Sequence, residues 1–478
     1  REYVRGERSA LKRVLEGDSS SQQLMVLCVA SLHYKDNVAQ VEVTDGWYGV
    51  QAVLDPVLTH AASKGRLRVG DKVACAGLRM SGIADGVSPL TDKAEQAVLS
   101  LNANCVRRAA WDAKLGLQRG KAMFMSLSAI SELGGAIGAA LDVVIMRTYP
   151  MLYMETLPDG RQVLRSEREE LRVAGTLAEK RAAITQDLKE RRLMTHSTRT
   201  SSARSATSSI EACHSDKELY EYVMCSNIDP AEARQQLTSS QSDALDRYAA
   251  EKQEEAEADI AEAVDKEAPQ RQVRALFKLL VCDYPAHRCK QAEPSTSQLA
   301  LVTIWGPRGI SPADFGEGSR FVFTGLTVSP RKSRSQHMHP LHKDACLRLN
   351  FRSSGSHSKP LTADPEVVQR SEYRERGALC IDEMCHIAPG QEVDLAGLVT
   401  ECHAADQPGQ SSVLHLSTTD EQGTTHVATI EFPAVTFGVI HIAGGSQATV
   451  RNCVYMPRPG AAPNTFHLRA GDGCEVVC

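Results

Sequence analysis

The chain has 478 residues, enough for roughly three domains of about 150 residues each, so a single small module is excluded. Hydrophobic residues make up 42% of the chain and charged residues 24%, a balance typical of a folded protein. The formal net charge of −5 excludes a uniformly basic surface, so any contact with nucleic acid must come from local basic patches.

The cysteine pattern and the absence of a targeting segment predict an intracellular protein. The 14 cysteines are scattered without the dense pairing of a secreted scaffold, so we expect reduced thiols. The charged opening 1–16 is no signal peptide, and the chain looks like a fragment of something longer. Prolines and glycines break the uncharged run 432–450, so we predict strands there and no membrane partner.

Residues 23–104 alternate short apolar strands with turn residues, and a short helix that begins at Pro56 interrupts them. This order is typical of the five-stranded OB barrel. Similar strand series begin near residue 275 and near residue 392. We therefore predict a mainly β fold with an α-helical insertion, containing three tandem OB-fold barrels.

Between the first two strand series the alternation disappears and charged residues dominate. Apolar residues recur at three-, four- and seven-residue intervals over 161–193 and 241–268, which predicts two long helices. Their charge biases are opposite, so they can form an antiparallel helical hairpin, or tower, with a small helical head at 195–240. The alternative is a flexible coiled-coil linker.

These patterns predict four domains. The first is an OB-fold with an N-terminal helix at 1–157, and the helical tower follows at 158–272. A second OB-fold occupies 273–375 and a third occupies 376–478.

The chain lacks the spacing of common catalytic motifs. Residues 116–122 resemble a phosphate-binding loop, but the glycines are one residue too close and Ala122 replaces the Mg²⁺-binding hydroxyl. The glycines at 134–138 are too closely spaced for a dinucleotide fingerprint, and no nucleophile elbow occurs. We therefore expect no catalytic residues, no cofactor and no enzymatic activity.

Two groups of residues resemble metal ligands. The first consists of Cys380, Cys385, His386, Cys402 and His403. Its gaps differ from those of a zinc ribbon, and ordinary strand thiols are the favoured alternative. The second group, in a polar loop without nearby acids, consists of His337, His339 and His342. We expect neither group to bind a metal.

The nucleic-acid signal lies in the second strand series. Aromatic residues alternate along its predicted strands, namely Trp305, Phe321, Phe323 and Phe351. Cationic residues lie on or beside them, namely Arg320, Arg331, Lys332, Arg334, Lys343, Arg348 and Arg352. Aromatics on the curved face of an OB barrel stack bases while cations follow phosphates, so we predict a single-stranded DNA site. The alternative is that the aromatics fill the barrel core.

Several sequence strings closely resemble the DNA-binding region of the breast-cancer type 2 susceptibility protein family. Its first OB-fold and helix entry resemble VEVTDGWYGVQAVLDP (41–56), KGRLRVGDKV (64–73), SLNANCVRRAAWDAKLGL (100–117), LDVVIMRTYPMLYMET (141–156) and RSEREE (165–170). Its tower head, second OB-fold and third OB-fold resemble, in the same order, ELYEYV (218–223), LVTIWGP (301–307) and EVDLAGLV (392–399).

The resemblance implies a non-enzymatic, nuclear mediator of homologous recombination from a tumour-suppressor family. Such a protein binds single-stranded DNA through its second and third OB-folds and loads a strand-exchange recombinase at double-strand breaks. The recombinase-binding repeats of the family contain Phe-x-x-Ala, and no phenylalanine of this chain has alanine three places later. We therefore expect recombinase contact by that route to lie outside this chain.

The resemblance also implies two further partners. A small acidic protein, the deleted-in-split-hand/foot protein, binds the family's helical domain and first OB-fold. We expect this chain to lack the helical domain, and the matching OB-fold positions are Trp47, Tyr48, Arg66, Arg68 and Trp111. Trp47 and Tyr48 are equally consistent with strand core. Duplex DNA contact at the tower head is implied for Arg199, Arg204 and Lys217.

Two other functions fit parts of the sequence. A protein-interaction scaffold whose barrels no longer bind DNA would fit the aromatic content of only 5%. A nuclease or ligase fragment would need a metal or nucleotide site, and it should cleave or adenylate labelled DNA when Mg²⁺ and ATP are added.

Overall fold

A computed structural model describes residues 8–35, 38–83, 85–202, 215–225, 230–284, 299–329, 347–364, 376–403, 410–438, 440–460, 462 and 464–478. These residues form two large sheets, one closed barrel and few helices, which confirms the predicted mainly β class. Within the described ranges no helix is both long enough and apolar enough to span a bilayer. Two compact units result: 1–155, 162–167 and 273–478 form one, and 156–161 with 168–272 form the other.

The first sheet has eight strands, with β1 paired to β2, β4 and β8. The strands are β1 (Met25–Lys35), β2 (Val38–Thr44), β3 (Gly49–Leu54), β4 (Lys72–Cys75), β5 (Arg79–Ser81), β6 (Val98–Leu101), β7 (Val106–Arg108) and β8 (Gly116–Leu117). Strict alternation of exposed and buried residues along β3 places Val50, Ala52 and Leu54 in the core of this sheet. Two helices border it, α1 (Ala10–Leu15) and α2 (Pro56–Ser63).

The second sheet has nine strands. They are β9 (Leu141–Thr148), β10 (Leu152–Thr156), β11 (Gln162–Ser166), β12 (Gln272–Asp283), β13 (Leu299–Trp305), β14 (Arg320–Thr324), β15 (Thr327–Val328), β16 (Leu347–Arg352) and β17 (His357–Leu361). The nearly continuous burial of β9 reflects its position between β12 and β14. The predicted first domain extended to residue 157, whereas β9 and β10 hydrogen-bond within this second sheet. The helix predicted from 161 begins later, because β11 pairs with β10.

The segment between the two sheets is fixed by a buried amide and a close backbone approach. Oδ1 of the fully buried Asn104 accepts the Ser131 N–H at 2.8 Å, and its Nδ2 donates to the Ser131 carbonyl at 2.9 Å. A Cβ atom at Gly138 would lie 1.7 Å from the carbonyl oxygen of Ala76, so only glycine fits. The chain therefore enters β9 along a single defined path.

The third β element is a closed barrel with strand order β18-β19-β20-β22-β21. Its strands are β18 (Glu392–His403), β19 (Ser412–Thr419), β20 (Thr425–Phe432), β21 (Gln447–Tyr455) and β22 (Thr465–Val477). A short 3-10 helix (Ile381–His386) packs Ile381 and Met384 into the barrel core, and α7 (Ala434–Phe437) follows β20. Closure removes the unpaired strand edges that promote aggregation.

The second unit is built on two long helices, α3 (Glu167–Ser202) and α6 (Ser239–Glu267), with α4 (Asp216–Cys225) and α5 (Pro230–Gln235) between them in the sequence. Arg181 lies 2.7 Å from Asp265 and Arg192 lies 3.0 Å from Asp259, so the two helices are antiparallel. Helices α4 and α6 share a small apolar cluster of Leu219, Tyr222, Val223 and Leu245. The predicted arms 161–193 and 241–268 overlap α3 and α6, while the tower as a domain stays a prediction.

A buried arginine connects the second sheet to the closed barrel. Arg147 on β9 is only 5% exposed, and its guanidinium is shared among three partners. It hydrogen-bonds to Asp394 of β18, to Asn452 of β21 at 2.8 Å, and to Glu317 at 3.1 Å. A buried charge needs this many partners, because its desolvation is otherwise prohibitive.

A second arginine completes the cluster. Nη2 of Arg376 lies 2.9 Å from Glu392, 3.0 Å from Asp394 and 3.2 Å from Oδ1 of Asn452. Asn452 has a left-handed backbone (φ 60°), and its N–H donates to Asp394 at 2.8 Å. Burial alone would raise the pKa of the Asp394 carboxyl, but the hydrogen bond and charge of Arg376 lower it below its ordinary value.

We expect Asp394→Asn to destabilise the protein by roughly 3–5 kcal/mol at neutral pH, because it removes the buried carboxylate that Arg147 and Arg376 share and leaves each arginine with a single acidic partner. The pKa of the Asp394 carboxyl is lower in the folded protein than in the unfolded protein, where it is about 4, so the ionised carboxylate stabilises the fold at neutral pH. This contribution is lost as the pH falls through the folded-state pKa. The stability difference between wild type and variant should therefore shrink below about pH 4. Urea unfolding at neutral and acidic pH measures it.

The exposed Glu421 provides the control, because Glu421→Gln should change the stability by less than about 0.5 kcal/mol. Equal stability of Asp394→Asn and wild type at neutral pH would contradict the assigned role of the cluster.

Candidate nucleic-acid interface

Three of the four aromatic residues predicted to stack DNA bases belong to the core of the second sheet. Phe321 is 6% exposed, Phe323 is 0% exposed and Phe351 is 1% exposed. They pack with Phe315, whose ring centre lies 4.8 Å from that of Phe321. The stacking role predicted for these phenylalanines is therefore wrong, because their side chains point inward from β14 and β16 and form part of the core.

Trp305 lies on the opposite surface. Ala300, Val302 and Ile304 of the same strand are buried in the core, so strand alternation directs Trp305 outward, where it is half-buried. Its indole Nε1 donates a hydrogen bond to Oδ1 of Asn350 on the adjacent strand β16 at 3.0 Å. This bond holds the ring in one orientation, so the indole is a preformed platform for a planar group.

Two predicted cations lie on the same side of the sheet as this tryptophan. Leu349 and Phe351 of β16 are buried, so Arg348 and Arg352, on either side of them, and Asn350, between them, alternate to the outside. Arg352 is exposed and lies directly opposite Trp305 in the parallel pairing of β13 with β16. Nε of Arg348 is buried and has no hydrogen-bond acceptor among the residues that the structure describes.

We call this surface the outer face, and it consists of Lys278, Trp305, Arg348, Asn350 and Arg352 on strands β12, β13 and β16. Lys278 of β12 pairs with Thr303, which in turn pairs with Asn350. Asp283 is the only acidic residue in these three strands, and it is buried and accepts the backbone N–H of Leu127 at 2.9 Å. The strands of the outer face therefore carry positive charge without an exposed carboxylate.

Arg320 was predicted to bind DNA, but the structure gives it an internal role. Its guanidinium makes a bidentate ion pair with the buried Asp142 at 2.8 and 2.5 Å and stacks 3.7 Å from the ring centre of Tyr284. The hydrogen bond to Asp142 raises the pKa of Arg320 above its ordinary value, although burial opposes this. With its charge already neutralised, Arg320 is removed from the candidate site.

Several predicted residues lie outside the described ranges. These are Arg204, Arg331, Lys332, Arg334, Lys343 and the histidine group at 337–342. Arg199 lies within α3, but its side chain is not described, whereas Lys217 is exposed on α4. The predicted roles of all these residues stay predictions.

A second candidate surface is a cleft of about 800 Å³ on the first unit, beside Trp47. The Asp45 carboxylate fixes the turn that carries Trp47. Its Oδ1 accepts hydrogen bonds from the N–H groups of Trp47 and Tyr48, and its Oδ2 accepts one from the Ser9 hydroxyl at 2.5 Å. Trp47 is 41% exposed, so its ring reaches solvent. We call this the basic cleft, after the cations that line it: Arg8, Arg13, Lys114 and Arg119.

Sequence reasoning missed those four cations, because they come from two segments about a hundred residues apart. The Ser9–Asp45 hydrogen bond fixes α1 beside the turn that carries Trp47, and residues 114–119 close the other side. The other predicted partner-binding residues do not line this cleft. Tyr48 packs against the core, while Arg66, Arg68 and Trp111 are exposed, the tryptophan by 88%.

The cysteine-rich group at 380–403 does not converge. Cys402 Sγ donates to the carbonyl of Ile440 at 3.2 Å, and Cys385 Sγ donates to the Asp382 carbonyl at 3.2 Å. Among the described residues, three potential metal ligands do lie close together, namely Glu401, His403 and His415, and neither cysteine is one of them.

Comparisons with known proteins agree with this architecture. Residues 9–119 match the family model described as BRCA2, oligonucleotide/oligosaccharide-binding, domain 1. Two Arabidopsis thaliana proteins, Protein BREAST CANCER SUSCEPTIBILITY 2 homolog B and homolog A, are 28% and 27% identical over 419 residues. These alignments cover 84% of this chain and 34% of each relative, so the chain spans about a third of the length of the curated relatives it matches.

Similarity to solved structures is much weaker. A replication protein A heterotrimer bound to single-stranded DNA is 12% identical, with 44% of each chain covered and a TM-score of 0.25. The HINa domain of Ifi202, in complex with 20-base-pair duplex DNA, is 11% identical with a TM-score of 0.24, over 42% of this chain and 84% of that one. TM-scores this low carry no inference about function.

Proposed function

This chain belongs to the BRCA2 family, and on that premise we propose that it is the single-stranded DNA-binding region of a homologous-recombination mediator. The longer protein helps to load a strand-exchange recombinase during double-strand break repair in the nucleus. The chain itself contributes DNA binding without enzymatic activity, and recombinase contact lies outside it.

The observation that carries this proposal is the outer face. Its one fixed indole, Trp305, can stack a base, and its flanking cations Arg348 and Arg352 can follow the adjacent phosphates. An OB-fold surface with this composition binds unpaired nucleotides with little sequence preference, because every base has a π-face and every nucleotide has a phosphate. The net charge of −5 does not oppose this, since the strands of the face carry no exposed carboxylate.

We expect Trp305→Ala to weaken oligo(dT) binding by about 5- to 150-fold, which corresponds to the loss of one stacked base at about 1–3 kcal/mol. The double change Arg348→Ala and Arg352→Ala should reduce the steepness of the salt dependence by roughly 1.4, since each phosphate contact on a single strand contributes about 0.7. Fluorescence anisotropy at several salt concentrations, with matched duplex as a competitor, measures both effects.

Matched controls come from the segments that connect strands of the first sheet. Trp111→Ala removes an exposed tryptophan, and Lys93→Ala removes an exposed cation, both away from the outer face. If Trp305→Ala and Trp111→Ala behave alike, or if wild type binds no oligonucleotide, the scaffold interpretation replaces the DNA-binding one.

The mediator role has its own test. In the full-length protein that contains this region, the combined change of Trp305, Arg348 and Arg352 to Ala should slow recombinase filament formation on single-stranded DNA coated with the general single-strand-binding protein. Lys93→Ala should leave the rate unchanged. Normal loading by the triple variant, despite lost oligonucleotide binding, would separate DNA binding from the mediator role.

We further propose that the basic cleft binds the small acidic deleted-in-split-hand/foot protein. Four cations line it, of which Arg8 lies 3.6 Å from Asp18, while the other acid, Asp45, accepts four hydrogen bonds within the chain. The cations of the cleft outnumber its two acids. An exposed indole beside clustered cations suits an acidic segment that carries an aromatic residue.

We expect Arg13→Glu with Arg119→Glu to weaken binding of that acidic protein by at least tenfold, because like charges then face each other across the interface. Isothermal titration with the purified partner measures the change. Arg66→Glu with Arg68→Glu is the matched control, as it reverses the same number of exposed cations outside the cleft. A larger effect from the control pair would place the partner on the sequence-predicted positions instead.

A further inference from the structure

Three potential metal ligands meet on the outside of the closed barrel, on strands that the proposed DNA and partner sites do not use. Glu401 and His403 lie on β18, and His415 lies on β19. One ligand atom from each residue lies within 4.8 Å of the other two. Nε2 of His403 is 3.1 Å from Oε2 of Glu401, and the His403 and His415 rings meet edge to face with centres 5.6 Å apart.

A β-bulge creates this grouping. Val399 is fully buried opposite Leu416, and regular alternation would place Glu401, two residues later, on the same inward face. Thr400 is the extra residue of the bulge, so Glu401 pairs instead with His415 and both point outward. The irregularity of β18 is thus what directs the carboxylate and His403 to the surface.

The ligand set suits a divalent transition metal. Two imidazoles and one carboxylate, with water in the fourth position, form a recurrent tetrahedral zinc site. Ligand atoms in such a site lie roughly 3.3 Å apart, given Zn–N and Zn–O distances near 2.0–2.2 Å. The side chains of Glu401 and His403 are 67% and 64% exposed, so small rotations close the remaining distance.

His415 is oriented for this role. The hydroxyl of Thr429 on β20 lies 3.2 Å from its Nδ1 and holds the ring, as the outer partners of metal-binding histidines commonly do.

We propose that Glu401, His403 and His415 bind one divalent transition-metal ion, Zn²⁺ in the first instance, on the outer surface of the third barrel. The ion joins β18 to β19 immediately after the bulge, where the ladder of hydrogen bonds is interrupted. Its role is to stabilise this part of the barrel, and it does not depend on the proposed DNA binding.

Zinc titration of the metal-stripped chain tests the proposal. Competition with a chromogenic chelator should show one ion per chain, and His403→Ala and His415→Ala should each weaken binding by at least tenfold. Thr429→Val should weaken it by about 10- to 100-fold, since it only removes the group that orients a ligand. Saturating Zn²⁺ should also raise the unfolding midpoint of wild type but not of His403→Ala.

His386→Ala is the matched control, because it removes an exposed histidine of the same barrel beside Cys380 and Cys385. Circular dichroism confirms folding, and Glu401→Gln, on an exposed side chain, gives an independent variant. The proposal is overturned if wild type binds no stoichiometric zinc. It is equally overturned if His386→Ala alone abolishes binding, or if Co²⁺ gives the thiolate charge-transfer band of cysteine ligation.

Discussion

The largely buried ion cluster of Arg147, Glu317, Arg376, Glu392 and Asp394 connects the second sheet to the closed barrel. Apolar contacts are tolerant of small displacements, whereas buried charges are stable only at hydrogen-bonding distance from their partners. Because the two arginines share Asp394, a shift of β9 against β18 would break hydrogen bonds on both sides of this carboxylate. The cluster therefore joins these two β elements, which belong to the same compact unit although they are separate in sequence.

Few aromatic residues are left for the surface, because most of the phenylalanines fill the β cores. With nine phenylalanines and three tryptophans in 478 residues, the core of the second sheet takes Phe277, Phe315, Phe321, Phe323 and Phe351. One indole remains on the outer face. DNA binding by this surface must therefore depend more on phosphates than on stacking, and affinity should be shared among many weak contacts along the strand.

The extent of successful prediction differed between the fold and the site. Strand alternation and turn residues indicated a mainly β class, because period-two burial is a local property of sequence. The same reasoning could not separate Trp305 from Phe321, Phe323 and Phe351, because a strand pattern does not say which of its two faces is the core. Arg320 could not be assigned, since its partner Asp142 is 178 residues away and only the pairing of β9 with β14 joins them. The basic cleft and the Glu401 grouping depend on a long-range hydrogen bond and a bulge, and neither leaves a local signal.

Asn452 is a neutral residue on which the charged cluster depends. Its backbone adopts a conformation that glycine and asparagine tolerate, and its side-chain oxygen accepts from both arginines while its amide nitrogen donates to the Gly473 carbonyl. Glycine there would keep the backbone and lose the acceptor, and aspartate would lose the donor and bring a fourth carboxylate beside Glu317, Glu392 and Asp394. Either exchange would thus disturb the contact between the second sheet and the closed barrel. A comparison of side-chain polarity alone would class the aspartate variant as harmless.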